Sequence, residues 1–355
     1  MTVTCNRHVR VLGLAAMCAV VLFACATKAP NSTGPDEAPE HAQADAGSPF
    51  AGATVTLVVP FSPGGGYDSY ARMLAPYLEE ELDAARVVVE NQPGAGGLLA
   101  INQLRADRSE GLRIALMNGI GVAGAATAGA EGADFALDDL TYVGRVMTGP
   151  QVWVAGTRSD RDSFEAVRSS SGFRFASSGP GASDFVFPTL LIAALDLDAE
   201  IVTGFDGSAE AELAVTRGDV DGYVGDAQGR LGAIEDGEHI ALLSLTADRL
   251  ELFPDAPALG ELELTDTQRE IVDGLFALME MGRPIVAPPG VPEANLAALR
   301  NALARALQRP ELLEDAAAAD RPIVPLTGEE MDDVVRRVMD APQEFRAALE
   351  AAYGS

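Results

Sequence analysis

Three glycine-rich segments carry the residue types best suited to bind a small anion. They lie at 62–68, 94–97 and 177–183, each between a predicted strand and a predicted helix. Glycine lets backbone N–H groups approach a ligand, and the start of the helix adds partial positive charge. None contains Lys or Arg, so amides and the hydroxyls of Ser62, Ser177, Ser178 and Ser183 would hold a carboxylate or phosphate. The alternative is that the glycines only permit tight turns.

Metal and nucleophilic catalysis lack the residues they need. Thiols and imidazoles are too few for a disulfide framework, a metal site or a histidine-based triad. They are Cys5, Cys18, Cys25, His8, His41 and His239. The chain has 25 basic and 53 acidic residues, for a formal net charge of −28, which argues against a nucleic-acid partner. We therefore expect no metal, no catalytic residues and no nucleic acid.

One segment matches a dinucleotide-binding fingerprint. Residues 119–124 (GIGVAG) follow a predicted strand, and Asp139 comes about 20 residues later. The residues that follow do not form a convincing amphipathic helix, and an exported protein meets little NAD. No glycine loop ends in Lys followed by Ser or Thr, as a P-loop would. We expect no cofactor.

These segments sit in an alternation of strands and helices, which predicts an α/β protein with a parallel sheet covered on both faces. At roughly 150 residues per domain, the part from about residue 54 onward makes two domains. Helices are predicted after the first two glycine loops and at 293–307 and 329–340. Strands are predicted at 54–60, 86–90, 112–117, 142–147, 152–155, 174–176, 200–202, 222–224 and 240–245.

The first 25 residues predict an export signal. Arg7 and Arg10 precede an apolar stretch at 11–23 that is shorter than the about 20 residues needed to span a bilayer. Leu22-Phe23-Ala24-Cys25 resembles the lipobox of bacterial lipoproteins. We expect residues 1–24 to be a signal peptide, Cys25 to carry lipid, and 25–52 to form a disordered tether. The protein would be extracytoplasmic and membrane-anchored. An ordinary cleavage site with an incidental Cys25 is the alternative.

Two motifs resemble the signature of a known family. Residues 59–68 (VPFSPGGGYD) and 89–97 (VENQPGAGG) resemble, in order and spacing, the paired signature of the Bug, or tripartite tricarboxylate transporter (TctC-like), solute-binding proteins. The similarity extends from about 54 to 345. Further landmarks are 176–181 (ASSGPG), 204–207 (GFDG), 217–221 (RGDVD), 253–257 (FPDAP) and 286–292 (VAPPGVP).

The resemblance implies a type II periplasmic-binding-protein fold, with two α/β lobes, a hinge and an interlobe cleft. Residues 53–150 plus 271–355 would form lobe I and residues 151–270 lobe II, with crossing segments near 148–152 and 265–275. The implied function is capture of a small carboxylate for the membrane permease subunits of a tripartite transporter.

The same resemblance places the ligand. The loops at 61–68 and 177–183 would grip the carboxylate through amides and bridging water, and Asn118, Phe205 and Asp226 would line the cleft. Asp68 could instead be a helix N-cap. The ligand-binding residues are expected to be Phe61, Ser62, Gly64, Gly65, Gly66, Asp68, Asn118, Ser177, Ser178, Gly179, Gly181, Ser183, Phe205, Asp206 and Asp226.

Three positions depart from the family. Gln92, Phe185 and Asp206 stand where it usually has Arg, His and Lys, which disfavours a citrate-like ligand. If Asp206 and Asp226 face the cleft, they would repel extra carboxylates and could accept an ammonium group. The hypothesis is a monocarboxylate or an amino-acid-like zwitterion; the alternative is a generally acidic surface.

Two other functions stay open. A binding protein that serves a two-component sensor kinase would have the same sequence features. An exported hydrolase would need a nucleophile beside a base, but His239 follows the acidic turn at 235–238 and no nucleophile motif accompanies it.

Overall fold

A computed structural model describes residues 47–133 and 135–354. The expected signal peptide, the lipidation site Cys25 and most of the expected tether lie outside the described residues. The strands are β1 (Thr54–Val59), β2 (Arg86–Asn91), β3 (Arg113–Leu116), β4 (Thr141–Met147), β5 (Gln151–Gly156), β6 (Phe173–Ser177), β7 (Ala199–Thr203), β8 (Gly222–Asp226), β9 (His239–Leu245), β10 (Arg283–Ala287) and β11 (Leu326–Thr327).

The helices fall between and after these strands. They are α1 (Gly66–Leu82), α2 (Leu98–Ala106), α3 (Gly119–Thr127), α4 (Phe164–Arg168), α5 (Ser183–Leu195), α6 (Ser208–Arg217), α7 (Ala227–Glu235), α8 (Asp266–Met279), α9 (Glu293–Ala306), α10 (Pro310–Ala318), α11 (Gly328–Met339) and α12 (Gln343–Tyr353). None of the helices in the described part is long and apolar enough to cross a membrane.

The strands form two sheets, as the expected fold requires. The first sheet has the order β11-β4-β10-β3-β1-β2, and the second has the order β7-β6-β8-β5-β9. We call the first sheet with α1–α3 and α9–α11 the first lobe, and the second sheet with α4–α7 the second lobe. All strands from β5 to β9 lie within 151–270. The expected boundary at 270 falls inside α8, so these lobe limits stay a prediction.

The expected parallel pairing holds within each βαβ unit only. β1 is parallel to β2 and β3, and β6 is parallel to β7 and β8. β10 and β5 instead run antiparallel to their neighbours. Each enters its sheet from the other lobe; β5 follows β4 after residues 148–150. Neither therefore returns over its own sheet through a crossover helix, which parallel pairing requires. As a result, the first residue of β10 lies at the carboxyl edge of β3.

Helix α3 corrects the sequence analysis, which found no convincing helix around the GxGxxG segment. Residues 119–125 are all buried, and Asn118 caps the helix by accepting a hydrogen bond from Gly121 N–H at 3.2 Å. A helix buried on every side shows no amphipathic period, which is why the pattern did not reveal it.

The apolar pattern that did reveal α1 packs it on the first sheet. Tyr70, Leu74, Leu78 and Leu82 recur at helical spacing and are all buried. They share a hydrophobic cluster with Val55, Leu57 and Val59, the inward residues of β1. The sheet and helix thereby fix the direction of the loop at 61–66 that joins them.

Helices α8 and α12 pack closely through a glycine. A Cβ added to Gly274 in α8 would lie closer than 3.0 Å to the Phe345 side chain of α12, which is fully buried. Helix α12 also contacts α3 of the first lobe and α5 of the second. Its docking therefore depends on the missing side chain at position 274.

We expect Gly274→Ala to lower the free energy of unfolding by about 2 kcal/mol, because overpacking outweighs the gain in helix propensity. The matched control is Gly232→Ala in α7, where nothing lies within 4 Å of the added methyl group. The free energy of unfolding of this control should rise by up to about 1 kcal/mol. Urea unfolding followed by circular dichroism measures both, and equal effects of the two substitutions would contradict the packing argument.

Candidate functional site

Asp68 braces the first-lobe loop. Its Oδ2 accepts hydrogen bonds from Gly64 N–H and Arg72 Nε, both at 2.9 Å, and its Oδ1 accepts one from Asn91 Nδ2 at 2.9 Å. The hydrogen bond from Arg72, aided by those from Gly64 and Asn91, lowers the pKa of Asp68 to about 2 against the cost of burial. The N-cap of α1 is Gly65, so the N-cap interpretation of Asp68 was wrong.

Asn91 joins the two family-like motifs. Its Nδ2 also donates to the Phe61 carbonyl oxygen at 3.0 Å, and its Oδ1 accepts from Arg72 at 3.0 Å. The Phe61 ring packs on Tyr67 with centroids 4.8 Å apart. The motifs VPFSPGGGYD and VENQPGAGG thus form two segments that hydrogen-bond to each other.

The loop then offers unsatisfied donors at a helix start. Among the described residues, no acceptor bonds the N–H groups of Gly65 and Gly66. Gly66 is the first residue of the 17-residue helix α1, whose dipole adds partial positive charge there. Two free amides at such an end suit a carboxylate.

The second-lobe loop is braced in the same way, by Asp184. The carboxylate accepts hydrogen bonds from Ser177 Oγ at 3.1 Å, from Ser178 N–H at 3.0 Å and from Ser178 Oγ at 2.7 Å. Burial raises the pKa of Asp184, and the hydrogen bonds from Ser178 and Ser177 oppose that shift. Sequence analysis did not single out Asp184, although its place in the first turn of α5 matches that of Asp68 in α1.

This brace occupies donors that were expected to meet the ligand. Ser177 Oγ, besides donating to Asp184, accepts from Gly179 N–H at 3.0 Å. Gly181 N–H reaches the Tyr353 hydroxyl at 3.5 Å. Ser183 is half-buried, and its hydroxyl has no partner among the residues that the structure describes. In this loop, therefore, Ser183 is the serine with a free hydroxyl.

Asn118 ties the two lobes together. Its Nδ2 donates to the carbonyl oxygens of Gly181 at 3.1 Å and Gly96 at 3.3 Å, while its Oδ1 accepts from the Tyr67 hydroxyl at 3.1 Å. The residue is 1% exposed. Asn118 therefore connects α3, the first-lobe loop and the second-lobe loop.

Three glycines let the lobes meet there. A Cβ on Gly96, Gly121 or Gly181 would lie closer than 3.0 Å to backbone atoms of the opposite lobe. Gly96 faces residues 180–182, and Gly121 faces Gly181. The GxGxxG segment therefore serves the contact between lobes.

A second contact joins the lobes at Ser62. Its Oγ donates to Asp206 Oδ1 at 3.1 Å and to Oδ2 at 3.2 Å, and Asp206 is exposed. The neighbouring Phe205 is half-buried and packs on the second-lobe core. The 61–66 loop thus contacts the second-lobe segment at 205–206 through Ser62. Asp68, Asn118 and Ser177, which were expected to bind the ligand, are buried by these contacts.

Arg283 is the cation that sequence analysis missed. It begins β10, and its guanidinium carbon lies 4.4 Å from the Tyr67 ring centroid and 4.8 Å from that of Tyr70. Gly66 is adjacent, since an added Cβ there would lie 3.5 Å from an Arg283 nitrogen. Within the described chain no carboxylate lies within 4.0 Å of Arg283. Only the antiparallel direction of β10 puts its first residue at this edge, and no sequence motif signals that.

Asp226 lies at the end of a second-lobe strand, in the place that Asn118 takes in the first lobe. It ends β8 and caps α7, with its Oδ1 accepting from Gly229 N–H at 3.0 Å. Burial raises the pKa of Tyr67 and raises that of Tyr70 to about 12; Arg283 opposes both shifts, and Asp226 adds to both. The charges of Arg283 and Asp226 therefore act on the same two hydroxyls.

Of the three residues that depart from the family pattern, Gln92 and Phe185 contact other side chains of this protein. Gln92 Nε2 donates to Glu90 at 2.9 Å, and Phe185 packs on Tyr353 with centroids 5.1 Å apart. Only Asp206 faces the opposite lobe. The charge argument from sequence therefore rests on Asp206 and Asp226.

A cavity of about 370 Å³ borders the same region. Gln228, two residues after Asp226, contributes one wall, and Pro322, whose carbonyl accepts from the Tyr70 hydroxyl at 2.8 Å, contributes another. The remaining lining residues are Leu313, Ala316, Ala317, Asp320, Arg321 and Ile323. The cavity is thus walled by residues of both lobes.

His239 lies apart from these loops. It is 2% exposed, and its Nε2 lies 3.0 Å from Thr216 Oγ1. Burial lowers the pKa of His239. In the described residues no group of three or more His, Cys, Asp or Glu could hold a metal ion.

Comparison with known proteins gives a consistent result. Residues 70–338 match the family described as "Tripartite tricarboxylate transporter family receptor". Protein BugT of Bordetella pertussis is 26% identical over 270 residues, which are 74% of this chain and 79% of BugT.

Solved structures share the fold. The periplasmic binding protein BugD superposes with a TM-score of 0.66 at 22% identity, covering 84% of this chain and 97% of BugD. MatC from Rhodopseudomonas palustris, solved with bound malate, gives a TM-score of 0.66 at 23% identity, covering 81% and 98%. The expected periplasmic-binding-protein fold is confirmed.

The brace at Asp68 has a pH signature. We expect Asp68→Ala to lower the free energy of unfolding by about 2 kcal/mol at pH 7, because it removes charge-assisted hydrogen bonds. The pKa of Asp68 is lowered from 3.8 to about 2 on folding. The stabilisation is therefore complete above pH 3.8 and lost as the pH falls through about 2.

Urea unfolding of wild type and variant at pH 7, 4 and 2.5 measures this difference. Asp162→Ala, at an exposed aspartate, is the control and should change the free energy by less than about 0.5 kcal/mol. A loss at Asp68 that is the same at every pH would contradict the ionic brace.

Proposed function

Because the chain belongs to the tripartite tricarboxylate transporter receptor family, we propose that it captures a small carboxylate between its lobes and delivers it to a tripartite-type membrane permease. The role is that of an extracytoplasmic binding protein and involves no catalysis. The observation that carries the proposal is the meeting of loops from the two lobes. Loops from both lobes meet at Asn118 and at the contact between Ser62 and Asp206.

Binding would drive closure of the lobes. A ligand favours the closed form only to the extent that it contacts both lobes, so a site built from both couples occupancy to shape. We propose that the lobes, 53–150 with 271–355 and 151–270, rotate about the crossing at 148–150 and the return through α8. The permease would then recognise the closed surface.

The ligand would be held mainly from the first lobe. The free amides of Gly65 and Gly66 at the start of α1 would donate hydrogen bonds to the carboxylate, and the Ser183 hydroxyl would contribute from the second lobe. The malate bound to MatC supports a small carboxylate as the ligand class. Asp206 and Asp226 favour a monocarboxylate, a dicarboxylate or an amino-acid-like ligand over citrate.

A ligand screen tests this function. The protein is purified, freed of bound ligand by denaturation and refolding, and screened by thermal shift against mono-, di- and tricarboxylates and amino acids. We expect at least one small carboxylate to stabilise the protein, by about 2.7 kcal/mol at 100 times its Kd. The methyl ester of that compound is the matched control and should not bind. No response to any acid, or tightest binding of citrate, would contradict the proposal.

We also propose that lipid on Cys25 anchors the protein to the membrane. Cys25→Ser should abolish metabolic labelling with palmitate and move the protein from the membrane fraction to the soluble fraction, because the acyl chains supply the membrane affinity. Cys18→Ser, within the expected signal peptide, is the control and should leave both unchanged. Labelling that persists in Cys25→Ser would contradict lipid attachment at this residue.

A further inference from the structure

Opposite charges lie on the two sides of the crossing between the lobes. Arg283 pairs with Met147 in the first sheet, and Asp226 pairs with Gln151 in the second. Only residues 148–150 separate the two partner strands. Arg283 and Asp226 therefore flank the crossing between the lobes, and their strand partners Met147 and Gln151 are at most about 14 Å apart.

Both charges are incompletely satisfied. Arg283 is half-buried, stacks on two tyrosine rings and has no carboxylate within 4.0 Å in the described chain. Asp226 is also half-buried, and among described residues only its Oδ1 accepts a hydrogen bond. Its Oδ2 faces the crossing, 3.3 Å from where a Cβ of Gly149 would lie. Charges removed from water are costly until they are paired.

The two groups have different ligand chemistry. A guanidinium presents paired donors that match a carboxylate, and the amides of Gly65 and Gly66 lie beside it. A carboxylate at the opposite wall favours a cation and repels a second anion. A dicarboxylate would bring two negative charges against one cation and place one of them near Asp226.

We propose that Arg283 and Asp226 form a charge pair that selects a zwitterionic ligand, an amino acid whose carboxylate binds Arg283 and whose ammonium group binds Asp226. The inference rests on the proposed function, since it names the ligand class of the same site. Arg283 supplies an ionic anchor in addition to the backbone amides. Asp226 then discriminates against acids that lack the ammonium group.

Matched compounds and variants test the pair. The refolded protein is titrated by calorimetry with sets that share a carbon skeleton: L-alanine, lactate and propionate; L-leucine, 2-hydroxy-4-methylpentanoate and 4-methylpentanoate; L-glutamate, 2-hydroxyglutarate and glutarate. For the preferred skeleton we expect the amino acid to bind at least about tenfold more tightly than either analogue.

The variants separate the two contacts. Arg283→Gln should weaken binding of every member of the preferred set at least about tenfold, and Arg283→Lys should restore part of it. Asp226→Asn keeps the helix cap of α7, because asparagine caps as well as aspartate. This substitution should remove the preference for the amino acid while retaining the binding of the hydroxy acid. Arg113→Gln, at the opposite edge of the first sheet, is the control and should change binding less than about twofold.

The outcomes distinguish this inference from the proposed function. Two results would overturn the charge pair while leaving carboxylate capture in place. One is wild-type affinity in Arg283→Gln, and the other is tighter binding of an analogue than of the amino acid by the protein with Asp226 intact. Failure of the wild type to bind any acid would overturn both. If Arg283→Gln does not fold by circular dichroism, Arg283→Lys decides: unchanged affinity in that variant overturns the anchor, and a loss supports it.

Discussion

The close approach of the lobes at Gly96, Gly121 and Gly181 is the constraint on which the rest of the molecule depends. A methyl group at any of these positions would collide with backbone of the opposite lobe. Because the backbones touch, Asn118 can donate to carbonyl oxygens of both lobes from a fully buried position. That contact fixes the position of α3 and the segment at 94–97 against the loop at 177–183.

An aspartate stabilises the glycine loop in each lobe, but the two loops leave different donors free. In each, an aspartate in the first turn of a helix turns back to bond the preceding glycine loop, Asp68 in α1 and Asp184 in α5. The first-lobe brace leaves the amides of Gly65 and Gly66 free, whereas the second-lobe brace occupies Ser177 and Ser178. The donors for an anion are therefore concentrated on the first lobe, and acidic side chains such as Asp206 and Asp226 stand on the second.

The local sequence pattern was sufficient to predict structural features that depend on residues close together in the chain. The strands that precede the glycine loops and the apolar face of α1 follow from periodicity, and the two family-like motifs mark segments that hydrogen-bond to each other. It was insufficient for α3, because uniform burial removes the amphipathic period. It was also insufficient for Arg283, whose position depends on the direction in which β10 enters the sheet after a long excursion through the second lobe. The N-cap interpretation of Asp68 failed because Gly65 ends the extended segment and the carboxylate reaches back to Gly64.

The central claim is that one ligand carboxylate lies between the lobes, against the start of α1 and Arg283. A crystal structure of the protein purified with its natural ligand tests it most directly. The account predicts electron density for a small acid in the crevice, with a carboxylate oxygen within about 3.2 Å of Arg283 and of the Gly65 or Gly66 nitrogen. Density for the ligand away from the start of α1, or a ligand carboxylate that leaves Arg283 unpaired, would contradict it.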